Sequence, residues 1–550
     1  MVSSKFDEDE KFSVPLLTTQ KTLTLLRQIN AHAATGPDEL PGFVVKNLAP
    51  FLAPSLTMLF NSSISTGVFP TVWKRANIAA IYKNKGPKSE PESYRPISIL
   101  SVLGKTLEKY VCHQLQGFCD AYQVIPPQQF GFRKHSSCEL LLIAAMDSWK
   151  EQVAQGDLVG ALCLDLSKAF DSIRHDQLVQ ELCNIGCSQE TTRWFASFLS
   201  DRLQRVKDGD NITPWMPVAK GVPQGSPLSP LLFNIMVRHL PEAAGAPTFQ
   251  FADDLTNSAS SKNVEDLSAK LQSVYGNVKT FCSNRNLSIN LDKTQVMIFK
   301  KPSKKLPEQL FISLDDTPIQ VTKTVKLLGV TLDQHFTMGP HIDDTIKKCH
   351  GLLGVMKRSA SVLPKDLIKL IYQSIVRSHL EYCSTTFLKA ANTHLSKLDT
   401  IQKIAARIAL GMGPQEHSAP LLSRLGWEPL SLRREEHAKS LVQNIETGKS
   451  HPYFESYFSS SPDTSLGTMG SSQGESTNHT TSELFKKRFK VFGKSLTSAS
   501  VSSTEVPLGT VNYELRGQPL SSSLSLPDSL TYTHSSVHSP TPSRSRPVID

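Results

Sequence analysis

Thr248-Phe-Gln-Phe-Ala-Asp253-Asp254-Leu-Thr-Asn-Ser-Ala259 is the stretch on which the reading of this chain turns. Phe249 and Phe251 alternate with polar or small residues, so a strand carries both on one face. Two adjacent aspartates interrupt the run and a second extended piece follows. The pattern predicts a hairpin with paired carboxylates at its tip. Neighbouring like charges repel and raise each other's proton affinity unless a cation lies between them. An ordinary polar turn fits less well, because the flanks are apolar and belong in a core.

Upstream, Val159-Gly-Ala-Leu-Cys-Leu-Asp165 is a near-continuous apolar run ending in a carboxylate, as in a strand buried on both faces. Leu166-Ser-Lys-Ala-Phe170-Asp171 follows, then a helix expected to reach about Ile185, with Gly186 to end it. Taken alone, Asp165 reads as a cap on the following turn. Between the two acidic stretches lies Lys220-Gly-Val-Pro-Gln224-Gly225-Ser-Pro-Leu-Ser229-Pro230. Its glycines let backbone approach a flat ligand, and its prolines stiffen the loop. Ser229 as N-cap and Pro230 at the first helical position predict a helix over Leu231–His239.

Farther out, Leu52–Phe60 is amphipathic, and residues 159–299 mix strands and helices around shared turns. Val264, Leu267, Leu271, Val274, Val278 and Phe281 recur at helical spacing. So do Leu367, Leu370, Ile371, Ile375 and Val376, and again Leu395, Leu398, Ile401, Ile404, Ala405 and Ile408. The stretch from about His341 to Ile445 is therefore expected to be all-helical. After about Phe458 Ser, Thr, Gly and Pro dominate, and so little apolar surface cannot offset the entropy of ordering. That tail is expected to be largely disordered, with a short basic helix over Leu484–Phe492.

The 550 residues carry a net charge of +9, which is compatible with a polyanionic partner and proves none. Met1-Val-Ser-Ser-Lys-Phe-Asp-Glu-Asp-Glu10 lacks the apolar core of a secretory signal, and no apolar run is long enough to span a bilayer. The nine cysteines are scattered without zinc-like spacing, so reduced thiols in an intracellular protein are expected, with no membrane partner.

In order and spacing the three central stretches resemble the palm of a reverse transcriptase, closest to the enzymes of non-LTR retrotransposons (long interspersed elements), with group II intron enzymes next. Phe-Ala-Asp-Asp is the form of these groups, whereas viral RNA-dependent RNA polymerases usually carry Gly-Asp-Asp. Tyr94-Arg95-Pro-Ile-Ser98, Gln129-Phe-Gly-Phe-Arg133, Asn290 to Met297 and Leu327-Leu-Gly-Val330 fall in the family's order, and the likeness covers about Thr35 to Glu446. Two stretches depart from the family. Lys134-His-Ser-Ser-Cys138 replaces a Gly-containing form ending in Ser-Thr, and Val237-Arg-His-Leu-Pro241 lacks an Asn-Asp before Leu-Pro. Neither touches the carboxylates.

The resemblance implies an α+β right-hand polymerase. Residues 1–34 would be a lead-in, 35–158 fingers, 159–335 a palm with an antiparallel sheet, 336–446 a helical thumb with further helices, and 447–550 the tail. It implies two magnesium ions, with manganese as an alternative, held by Asp165, Asp253, Asp254 and the backbone of Leu166. It further implies triphosphate contacts from Arg95, with Lys83 and Lys85 as weaker candidates. Phe170 would exclude a ribose 2′-hydroxyl, Gln224 and Gly225 would pack on the new base pair, and Lys293 would act as general acid. The implied partners are an RNA template, a DNA primer and deoxynucleotides, and the implied location is the nucleus. Only about thirty residues precede the first family landmark, too few for a second domain, so a separate endonuclease is expected. A catalytically inactive RNA-binding relic is the competing reading, disfavoured by the intact acidic set. An intron maturase would need a splicing domain that the tail does not suggest.

Overall fold

The computed structural model describes residues 11–413 and 415–458. All lie in one of two compact units, Met1–Gly493; the other, Lys494–Asp550, falls outside the described residues, as does the basic helix expected over Leu484–Phe492. In chain order the strands are β1 (Arg75–Tyr82), β2 (Tyr94–Leu100), β3 (Leu158–Ser167), β4 (Arg202–Asp208), β5 (Asn211–Ile212), β6 (Met216–Val218), β7 (Thr248–Phe251), β8 (Asp254–Ser261), β9 (Ser288–Phe299), β10 (Phe311–Leu314), β11 (Thr317–Thr322), β12 (Thr324–Leu327) and β13 (Val330–Asp333). Among the described residues they form three sheets. One runs β2-β1-β4-β5 with β6 also on β4, one runs β10-β11-β9-β3-β8-β7, and β12 pairs with β13. Sheets and helices together make the α+β class that the sequence predicts.

β3 is apolar along most of its length because both of its faces are covered. Leu158, Leu162, Leu164 and Leu166 enter one core with Leu267 and Leu271 of the helix Val264–Asn284. Val159 and Ala161 point the other way, into a second core with Trp149 of the helix Cys138–Ala154, Phe249 and Phe299. Alternation thus sends one strand into two cores, and each fully buried leucine contributes roughly 1.5–3 kcal/mol. The helix predicted from the 264–281 spacing is present, and Leu267, Leu271, Val274, Val278 and Phe281 are its buried face.

Several local expectations are corrected. The helix expected after Asp171 is present as His175–Asn184, but an unexpected turn of helix, Ala169–Ser172, precedes it across extended backbone at Ile173 and Arg174. Ser229 does not cap its helix. Leu228 occupies that place, Ser229 is the first helical residue, and its Oγ donates to Pro223 O at 2.7 Å. That helix stops at Met236, and a separate turn of helix, Leu240–Ala244, follows.

Residues 341–446 are helical as expected, but one apolar face is misassigned. Leu367, Leu370 and Ile375 are exposed, whereas Ile368, Tyr372, Val376 and Leu380 are buried. The cause is a π turn, Tyr372–Val376, inserted between Lys365–Ile371 and Arg377–Glu381. Of the stretch expected to begin a disordered tail at 447, residues 447–458 are described and include the turn Pro452–Phe454, with His451 and Phe454 each 1% exposed. The rest of that stretch lies outside the described residues.

Candidate active site

β3 pairs antiparallel with β8, and the register sets Asp165 opposite Asp254. Directly opposed residues in such a ladder put their side chains on the same face. On its other side β3 pairs with β9, setting Asp165 opposite Asn290, with an irregularity between Cys163 and Asp165 that bends the strand end. β7 and β8 form the hairpin that Thr248–Ala259 predicts, with Ala252 and Asp253 as its turn. Asp165 and the Asp253-Asp254 pair, nearly ninety residues apart in sequence, therefore meet at one end of one sheet.

Their electrostatics follow from that meeting. Burial holds the Asp253 carboxyl above its ordinary range; the charge of Asp165 adds to this, while Lys293 and Arg95 oppose it. Asp254 is pushed up to about 6, first by desolvation in the groove and then by Asp253 and Asp165. Lys293 Nζ lies 3.0 Å from Asp165 Oδ2 and supplies positive charge on that side. Among the described residues, no three His, Cys, Asp or Glu side chains close on one point at metal-ligand spacing. The donor chemistry nevertheless fits a hard divalent cation: anionic oxygens, crowded and partly desolvated, whose mutual repulsion a cation relieves.

The loop from Gly221 to Ser229 is fastened on three sides. Gly221 N donates to Ile173 O at 2.7 Å, and Val222 N donates to Phe170 O at 2.9 Å. Ser98 N donates to Gln224 O at 2.7 Å, and Gln224 Nε2 donates to Asp171 Oδ1 at 2.9 Å. Gly225 has φ +138°, and a Cβ there would lie 2.4 Å from Ser98 O, so only glycine fits. Beneath the loop, Ser226 Oγ donates to Glu108 Oε2 at 2.5 Å. Glu108 is fully buried, and burial raises its proton affinity against the opposing pull of Arg202 and Ser226.

Phe170 is held by its neighbours. Its ring stacks on Phe233 with centroids 4.6 Å apart, meets Phe132 edge-on at 6.3 Å, and keeps some exposure. A cavity of about 250 Å³ opens beside it, lined in part by Pro96, Ser98, Asp171, Gly221 and Gln224. Arg95 is exposed on β2 and its charge reaches Asp253. Lys83, also exposed, donates from Nζ to Glu92 O at 2.8 Å and acts electrostatically on Asp171 together with Lys168. Lys85 is exposed on the following turn, and Leu166 is buried with its backbone in the β3–β9 ladder.

The structure thus brings Asp165, Asp253, Asp254, Lys293 and Arg95 within electrostatic reach of one another, while Gln224 lines the cavity and Phe170 is tied to its loop through Val222 N. Sequence reasoning missed Asp171 and Glu108. Asp171 was legible as the polar residue next to Phe170. Glu108 carries no local signal, because a glutamate within the helix Val102–Ala121 reads as solvated.

Residues 82–332 match the family model described as reverse transcriptase (RNA-dependent DNA polymerase). The chain is 28% identical over 408 residues to the RNA-directed DNA polymerase from mobile element jockey of Drosophila melanogaster, covering 71% of this chain and 44% of that one. It is 27% identical over 419 residues to the probable RNA-directed DNA polymerase from transposon BS of the same fly, covering 72% and 45%. Over 285 residues it is 27% identical to the Pol polyprotein of retrotransposable element R2 of Popillia japonica, covering 48% and 38%. The matched region spans less than half the length of each of these relatives. Residues 82–332, with the acidic edge of the six-stranded sheet inside them, thus carry a reverse transcriptase domain, similar to the polymerases of non-LTR mobile elements.

Proposed function

We propose that this protein is an RNA-directed DNA polymerase that adds deoxynucleotides to a primer 3′-hydroxyl on an RNA template, as a step in retrotransposition. The observation that carries this reading is the β3–β8 register that puts Asp165 across from Asp254, with Asp253 in the adjoining turn. Enzymes of the family use divalent metal ions, and the finer assignment is two magnesium ions, with manganese as a substitute. Asp165, Asp253, Asp254 and the backbone oxygen of Leu166 would hold them. When bound, such ions lower the pKa of the attacking hydroxyl and neutralise charge on the triphosphate and departing pyrophosphate.

The chain's own residues do the rest. Arg95 orients the triphosphate through its forked guanidinium, with Lys83 adding positive charge from the same side. Phe170, backed by Phe233, presents a rigid edge where a ribose 2′-hydroxyl would otherwise sit. Gln224 and Gly225 pack against the new base pair. Lys293 Nζ holds a proton that it can give to pyrophosphate oxygen. In this reading residues 35–158 act as fingers, 159–335 as palm, and the helices of 336–446 as a thumb gripping the duplex by its phosphates. The work is done in the nucleus on a primer end made by a separate nicking activity.

Primer extension by the full chain on an RNA template, with deoxynucleotides and magnesium, tests the proposal. The Asp253→Asn/Asp254→Asn double variant is the control. Extension well above that control is the expected result. Extension equal to it would leave the inactive RNA-binding relic as the better account.

A further inference from the structure

Gln129-Phe130-Gly131-Phe132-Arg133 lies against the turn that carries Asp253. Gln129 is 1% exposed, and its side chain grips the turn between β7 and β8. Gln129 Oε1 accepts from Ala252 N at 3.0 Å and from Gly131 N at 2.8 Å, and Nε2 donates to Ala252 O at 3.4 Å. Ala252 is the residue immediately before Asp253, and its φ is +59°, a left-handed conformation that side-chain-bearing residues adopt rarely. A turn of that kind persists only where its surroundings impose it.

Gly131 closes the other side of the same residue. A Cβ on Gly131 would lie 2.2 Å from Ala252 N, so no side chain fits between the two backbones. The adjoining strand is stitched down as well: Phe130 N donates to Gln250 O at 2.8 Å, and Gln250 N donates to Gln128 O at 2.9 Å. Asn234 Nδ2 donates to Gly131 O at 2.9 Å, fixing the clamp from the helix that follows the loop.

Behind the clamp lies a residue more than three hundred positions away. His451 is 1% exposed, its ring stacks on Phe130 at 4.1 Å, and Nε2 lies 3.0 Å from Gln129 O. Tyr453 N donates to His451 Nδ1 at 3.3 Å, so the hydrogen belongs on Nε2, which donates to Gln129 O. Burial, and then the charge of Arg133, holds the imidazolium down to about 3, so the ring is neutral under ordinary conditions.

We propose that Gln129 and Gly131 are positioning residues that set the backbone ahead of Asp253, and that His451 locks them there, making the segment around His451 a working part of the acidic edge. The proposal rests on the reading of Asp253 as a metal-binding carboxylate. Its importance comes from the tolerance of such sites, where a misplacement of about 1 Å costs around a hundredfold in rate. A merely structural glutamine would be replaceable at the expense of stability alone.

The test uses the full chain and its Gln129→Met and His451→Leu variants, with His451→Gln as the conservative rescue because an amide can still donate to Gln129 O. Three readouts are taken: hydrogen exchange at the Ala252 amide, manganese binding followed by its electron paramagnetic resonance signal, and kcat and KM for nucleotide in primer extension. Gln129→Met should speed exchange at Ala252 about tenfold or more while the helix Val264–Asn284 stays protected. It should weaken manganese binding and lower kcat about ten- to a hundredfold, with KM changed less than twofold. His451→Leu should move the same quantities less, and His451→Gln should restore them. If Gln129→Met loses its cooperative melt, the two His451 variants carry the test. Folded variants that match the parent in exchange and manganese binding overturn the proposal, whatever the polymerase activity. A parent that extends no primer, with variants that still lose Ala252 protection and manganese, overturns the polymerase reading and leaves the positioning role standing.

Discussion

The two ends of β3 carry charge in opposite ways. At the far end, where Leu158 pairs with Ser261, Asp157 and Asp266 each have a lysine partner. Lys262 Nζ sits 2.5 Å from Asp157 Oδ1, Asp266 pairs with Lys270 at 2.8 Å and accepts from Ser261 Oγ at 2.7 Å, and Lys304 Nζ donates to the carbonyls of Gly156 and Lys262. At the near end Asp165, Asp253 and Asp254 crowd together with a single ion pair among the described residues, Lys293 to Asp165. Asp266 has its carboxyl held below the ordinary range, first by the hydrogen bond from Lys270, whereas Asp253 and Asp254 are pushed above it. The same sheet thus matches its charges at one end and leaves them largely unmatched at the other, where the proposed cations would be held.

The contrast is broken most severely at the near end. Asp253→Asn is predicted to lower primer extension about a thousandfold or more, several kcal/mol of lost charge stabilisation. Thermal melting of the same variant should be unchanged or higher, because one of three repelling charges is gone. A lower melting temperature would mean that Asp253 is a structural residue. Next in size, Phe170→Ala should reduce discrimination against ribonucleotides about ten- to a hundredfold, measured as the ratio of kcat/KM values. Unchanged discrimination removes the gate role.

At the far end the expected effects are small and concern stability alone. Asp157→Asn should cost at most about 1 kcal/mol in denaturant unfolding, since Lys262 is largely exposed and screened, and should leave extension at the parental rate. Smallest is Lys270→Ala. A carboxyl depressed on folding adds stability above its unfolded pKa of about 3.9 and loses it as pH falls through the lower folded value. Melting curves of Lys270→Ala and the parent should therefore differ slightly near neutral pH, converge in acid, and also converge in high salt. A difference that persists in acid would place the effect in packing instead.

Elements whose pattern is local were legible in the sequence. β3 announced itself by an apolar run ending in Asp165, the β7–β8 hairpin by its alternation and paired aspartates, and the helix Val264–Asn284 by its spacing. What the sequence could not announce depends on distant partners. Ser229 looks like a cap, but Pro223 O, six residues back, claims its hydroxyl. The break at Ile173–Arg174 follows from Gly221 N reaching Ile173 O, a bond to a loop nearly fifty residues ahead. The site carboxylates were readable one by one, whereas their meeting needed the register, and Glu108 and His451 needed the packed chain to be noticed at all.

The π turn at Tyr372–Val376 has one more consequence. Ile368, Tyr372, Val376 and Leu380 are spaced by four, and on an α-helix each such step slips about 40° around the axis, so the row would wind away from its neighbours. One wider turn resets the phase, and all four stay buried, with Tyr372 stacked on Trp427 at 4.0 Å. The helix has kept its row of contacts by giving up its regularity. A segment able to absorb a residue in this way is a place where chain length can change by one without unseating what lies on either side.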